Sequence, residues 1–195
     1  MNRKIAISSV SILASLALLG VGVYAADLTD ATSTANVATA ANPHLQIAPD
    51  AGGGNPGTFS NSIAGGLTTS HIAPEHDQTI IFFLKNTGDQ SLALNALFSN
   101  VGGTGLGTTT GTLEHDLQIA ISCVDNTTSA AIGSITSQSF SNYEGGTPPP
   151  TPLLFTGSGN IAPNQVAKCT VTSHLGTGNN DAGQSLTYSA AFGGN

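Results

Sequence analysis

Leu117-Gln118-Ile119-Ala120-Ile121-Ser122-Cys123 is the stretch from which the fold is read. Its apolar side chains fall at every second position. An extended chain turns successive side chains to opposite faces, so Leu117, Ile119, Ile121 and Cys123 share one face of a half-buried strand. The same alternation returns in Ala167-Lys168-Cys169-Thr170-Val171-Thr172, with Cys169 and Val171 inward and Lys168 outward, and in Leu186, Tyr188, Ala190 and Phe192. Thr79-Ile80-Ile81-Phe82-Phe83-Leu84 is instead a continuous apolar run, as expected of a strand covered on both faces, and the turn signal Asn86-Thr87-Gly88-Asp89 ends it. Leu92, Leu94 and Phe98 begin the next strand, so residues 78–98 are expected to form a hairpin. Gly and Pro clusters at 51–57, 102–111, 145–152 and 176–183 separate the strand segments, and only residues 28–40 are assigned a helix. Many short strands between such turns predict an all-β fold, a two-sheet antiparallel sandwich of Greek-key or jelly-roll type following an N-terminal signal segment.

That segment opens with Arg3 and Lys4, runs almost without charge from Ile5 to Val23, and offers small residues at Val23-Tyr24-Ala25. This is the pattern of an export signal, with cleavage expected between Ala25 and Ala26. The apolar stretch is also long enough to cross a bilayer, so a retained anchor is the other reading. The chain divides into a signal peptide at 1–25, an N-terminal arm at 26–50 and a single sandwich domain at 51–195. About 170 residues is the size of one domain.

Past residue 25 only Lys85 and Lys168 stand against eleven carboxylates, a net charge of −9. With no basic patch to neutralise phosphates, nucleic acid is excluded as a partner. Anionic membrane surfaces are disfavoured too, leaving membrane contact to the leader before cleavage. Charged residues are 8% of the chain. A surface so poor in mixed charge opposes self-association weakly, which points towards assembly.

Cys123 and Cys169 are the two cysteines, each on the inward face of a predicted strand in a chain read as exported. A disulfide is the expected state; two buried thiols and a metal site are the alternatives. Glu75-His76-Asp77 and Glu114-His115-Asp116 are acid-His-acid triplets, with His71 shortly before the first. Consecutive residues on a strand diverge, so neither triplet converges on one ion, and each reads as a solvated strand entrance. No His-Glu-x-x-His, Gly-x-Ser-x-Gly or EF-hand pattern occurs, and no catalytic residue, metal ligand or cofactor is assigned. Gly102-Gly103-Thr104-Gly105-Leu106-Gly107 lacks the following Lys of a phosphate loop and reads as a flexible loop. Pro148-Pro149-Pro150 reads as a stiff spacer. Asn126-Thr127-Thr128 fits an N-glycosylation acceptor.

The order of these pieces resembles the TasA/camelysin family of exported proteins. The resemblance rests on the leader ending Gly20-Val21-Gly22-Val23-Tyr24-Ala25, on Ala26-Asp27-Leu28-Thr29-Asp30, and on Ile72-Ala73-Pro74 leading to the strand of residues 80–84 and Asn86-Thr87-Gly88. It continues through 117–123, Ile161-Ala162-Pro163 before Cys169, and Gln184-Ser185-Leu186. Glu75-His76 replaces the glycine of the family's Pro-Gly-Asp turn. The resemblance implies a jelly-roll subunit of extracellular biofilm-matrix fibres or pilus-like filaments, in which the N-terminal segment of one copy completes the sheet of the next. Residues 26 to about 48 would be that donor strand, with Leu45 and Ile47 placing alternate apolar side chains in the neighbour's groove; the other reading is that this segment packs as the first strand of its own sandwich. Partners would be further copies, with an accessory matrix protein alongside, and the location extracellular matrix or cell surface. No peptidase activity is carried over, because no nucleophile or metal pattern supports one. A monomeric adhesive or carbohydrate-binding sandwich is the alternative, and a secreted hydrolase a more distant one.

Overall fold

The computed structural model describes residues 32–33, 37–40, 44–63, 75–107, 110–143, 152–176 and 184–194. They form thirteen strands and two single-turn helices. The strands are β1 (Thr32–Ser33), β2 (Val37–Ala40), β3 (Leu45–Pro49), β4 (Ser62–Ile63), β5 (Asp77–Asn86), β6 (Leu92–Gly103), β7 (Leu117–Asp125), β8 (Ala131–Ser139), β9 (Leu153–Leu154), β10 (Thr156–Gly157), β11 (Asn160–Ile161), β12 (Val166–Leu175) and β13 (Ser185–Gly194). The helices are α1 (Leu113–Asp116) and α2 (Phe140–Tyr143).

One sheet runs β10-β8-β7-β12-β5-β3 and is antiparallel throughout. The other runs β11-β6-β13-β2-β4, with β1 also beside β13 and β9 beside β6. The alternating segments do what their periodicity demands: Leu117, Ile119, Ile121 and Cys123, then Cys169 and Val171, then Leu186, Tyr188, Ala190 and Phe192 are all buried. Phe82 of the first sheet meets Phe192 of the second with ring centroids 4.7 Å apart. Phe140, from α2, closes one side of this seam against Phe98 and Tyr188 at 5.6 and 4.7 Å. Each such ring contributes roughly 2 kcal/mol by leaving water. The all-β two-sheet sandwich read from the sequence is therefore the fold.

Three expectations need correction. Residues 78–98 are not a hairpin: β5 pairs with β12 and β3, whereas β6 lies in the opposite sheet between β11 and β13. The linker crosses the sandwich because Asn86, fully buried, turns the corner. Its amide nitrogen donates to the carbonyls of Gln90 (2.7 Å) and Ile161 (3.0 Å), and its amide oxygen accepts from the Gly88 N–H (2.9 Å). Second, the helix assigned to 28–40 is absent from the described part of that segment. Thr32–Ser33 and Val37–Ala40 are strands, both parallel to β13 and so an exception to an otherwise antiparallel architecture. Short runs of Thr, Val and Ala take whichever backbone state a neighbouring sheet edge offers, because their intrinsic preferences are small. Third, only Phe82, Phe83 and Leu84 of the apolar run are fully buried; Thr79 is exposed and Ile80 and Ile81 are half-buried. Phe83 belongs to the outer face, which it shares with Lys85, whose ammonium lies 5.7 Å above the Phe59 ring.

Candidate functional site

Cys123 and Cys169 are joined across β7 and β12 at directly opposed positions, with Cα atoms 4.1 Å apart. That spacing belongs to a non-hydrogen-bonded pair. Cys169 therefore points its backbone polar groups towards β5, and by alternation Thr79, Ile81, Phe83 and Lys85 point theirs away from β12, on the β3 side. The arrangement explains why Pro49, which has no N–H, sits opposite Phe82 without breaking the ladder.

Leu45 and Ile47 lie on β3, paired with Asn86 and Leu84 of their own chain, and both are fully buried. The far edge of β3 is also occupied. Ile47 exchanges both backbone bonds with Ser60 (2.8 and 2.9 Å), and the Pro49 carbonyl accepts from the Gly57 N–H at 2.8 Å. The loop that does this is shaped by Asp50, whose carboxylate accepts from the N–H groups of Gly52, Gly54 and Asn55 at 3.0–3.1 Å. Within one copy, β3 is a core strand with both edges bonded. Ser60 carried no signal in the sequence, since a backbone contact leaves no side-chain pattern.

Upstream of β3 the arrangement differs. β2 is wedged between β13, to which it is parallel in the register Val37 with Ser189 to Ala40 with Phe192, and the two-residue β4, where Ala38 opposes Ile63 and Thr39 opposes Ser62. β1 meets β13 further along, at Ser185 and Leu186. Parallel neighbours need a long return connection. Here nearly the whole domain separates the N-terminal and C-terminal strands that pair.

β3 reaches along β5 only as far as Phe82, so among the described residues no strand flanks Thr79–Ile81 on that side. A cleft of about 330 Å³ opens there, lined by Pro49, Asp50, Ile63, Thr79, Ile80, Ile81 and Phe82. A second cleft of about 340 Å³ lies over β7, β8 and β10, with Ser122, Ser134, Thr156 and Ser158 in its wall. The Thr156 and Ser158 hydroxyls donate to the carbonyls of Ser134 and Ile132 at 2.9 and 2.7 Å, and no aromatic side chain lines it for a sugar to stack on.

The two acid-His-acid triplets sit in different surroundings. Glu75 and His76 are exposed, and Asp77 Oδ1 meets His174 Nδ1 at 2.8 Å across β5 and β12. The second triplet is not the solvated entrance expected, because Glu114 and Asp116 are 5% and 8% exposed. The Gly107 N–H donates to Glu114 Oε2 and the Gly111 N–H to Asp116 Oδ2, each at 2.6 Å. Gln184 accepts from the Leu113 N–H (2.8 Å) and donates to the Gly111 carbonyl (2.9 Å). The glycine loop expected to be flexible is thus tied down. Gly103, at φ 128°, lies so close to the Ser185 carbonyl that no side chain fits. These carboxylates hold the backbone, Asp116 Oδ1 also meeting His115 Nδ1 at 2.6 Å, and among the described residues no three His, Cys, Asp or Glu side chains gather as a metal site.

Ala25, Ala26, His71 and Pro148-Pro149-Pro150 lie outside the described residues, within which no helix is long and apolar enough to cross a membrane. No protein-family model, curated protein or solved structure matches the chain.

Proposed function

We propose that the chain is a secreted structural subunit that polymerises into extracellular matrix fibres or pilus-like filaments by strand exchange. The observation that carries this reading is the placement of β2. It is an N-terminal strand bonded through its backbone between β13 and β4 and, like β1, parallel to β13 in a sheet whose remaining pairings are antiparallel. An element at the chain's beginning can leave one copy and enter the same place in the next without threading, and the backbone bonds it makes are the same in both cases. Exchange of this kind runs head to tail, so it propagates into a fibre.

In this proposal the lent segment ends with β2, and β3 stays with its own copy. Residues 26–40 pass to the neighbour, while Leu45 and Ile47 root the arm in its own core. The low surface charge favours close approach of copies.

The test is removal of residues 26–40 from the secreted form. The shortened protein is expected to stay folded, with its disulfide intact, and to sediment as a monomer, while the full mature chain gives filaments in negative-stain electron microscopy. Filaments of unchanged morphology from the shortened protein would sink the reading.

A further inference from the structure

We infer that Asn126 carries an N-linked oligosaccharide and that the transfer is completed before the β7–β8 turn folds. Asn126-Thr127-Thr128 is the one Asn-x-Ser/Thr sequence with a non-proline centre in all 195 residues. The fold places it at the tip of the hairpin joining β7 to β8, where residues 126–130 are all exposed. The Asn126 backbone is anchored by its N–H to the Val166 carbonyl at 2.9 Å, so the side chain leaves from a fixed point. A saccharide there projects off the end of the sandwich and displaces no packed side chain.

The position suits the rest of the molecule. β7, β12, β5 and β3 are successive neighbours, so Asn126 lies three strand spacings, about 14 Å, from the root of the N-terminal arm. A glycan would stand at the same end of the sheet as that root. It would also hydrate a surface that has few charges of its own. The inference needs export but is independent of strand exchange.

The reaction takes a polyisoprenyl phosphate- or diphosphate-linked saccharide as donor. Asn126 Nδ2 forms a bond to the anomeric carbon, the bond from that carbon to the phosphate oxygen breaks, the lipid phosphate departs with the electron pair, and the amide proton goes to a base of the transferase. The timing follows from the acceptor hydroxyl. In the folded turn Thr128 Oγ1 donates to Asp125 Oδ1 at 2.9 Å, and the same oxygen accepts the N–H groups of Thr127 and Thr128 at 2.9 and 2.7 Å. The hydroxyl an acceptor motif must present is therefore engaged, and the backbone around Asn126 is closed.

Intact-mass and peptide mass spectrometry of protein isolated from its natural source tests this. The peptide containing Asn126 is expected to carry a saccharide mass, lost in Asn126→Gln and Thr128→Ala and kept in Thr128→Ser. Purified folded, unmodified chain should accept at least tenfold less saccharide from membranes of the source organism than the same chain unfolded with its disulfide reduced. Native protein bearing an unmodified Asn126 would overturn the assignment; equal transfer to folded and unfolded chains would overturn the timing.

Discussion

Asn86 shows how much one buried amide decides. The sequence marks it as the start of a turn, and a turn it is, but the direction of the chain beyond it depends on the two carbonyls its side chain reaches, one of them 75 residues away. Asn86→Ala leaves the Gln90 and Ile161 carbonyls and the Gly88 N–H short of partners, and should cost about 2 kcal/mol in urea unfolding. A change within experimental error would mean that water replaces the amide. Asp125 governs a second turn. Hydrogen bonds from the Gln165 side chain first, and then from Thr128 and Thr127, lower its pKa from 3.8 to about 2. Because the folded value is depressed, the stabilisation is whole above about pH 4 and disappears as pH falls through 2. The melting temperature of the native chain should therefore exceed that of Asp125→Asn at pH 7, with the gap closing between pH 4 and 2. A gap that stays constant over this range would show that the carboxylate charge plays no part.

At the scale of elements, β7 and β12 are joined twice, by a nine-residue ladder and by Cys123–Cys169. The bridge closes a segment of 46 residues. Restricting the unfolded chain over that length is worth about 4 kcal/mol on the loop-entropy model. The double variant Cys123→Ala/Cys169→Ala should lose about that much in chemical denaturation, and both half-cystines, at most 1% exposed, should resist reductant until denaturant is added. Rapid reduction of the native protein would contradict the burial. β3 and β2 make the opposite pair of cases. β3 is specified by alternating Leu45 and Ile47 against the core, whereas β2 is a run of Val, Ala and Thr given its place by the edge of β13.

For the whole molecule, the question is whether β2 stays at home. Thr39 opposes Ser62 across β2 and β4, so Thr39→Cys/Ser62→Cys reports which copy supplies the strand. Oxidised after assembly, this variant should give a ladder of covalent multimers on a non-reducing gel; oxidised in dilute monomer, it should give a locked chain that no longer polymerises. Intrachain bonds alone in assembled material would refute exchange. The sequence by itself determined the all-β sandwich, the inward faces of β7, β12 and β13 and the facing cysteines, because period-two burial is written residue by residue and sets Cys123 and Cys169 on inward faces. Tertiary structure alone decided that β5 and β6 part into different sheets, that Glu114 and Asp116 hold a glycine loop, and that the N-terminal strand runs parallel to the last one. The first and third depend on groups meeting across long separations and the second on nearby Gly107 and Gly111 N–H groups, and a backbone amide or carbonyl has the same chemistry at every position in the chain.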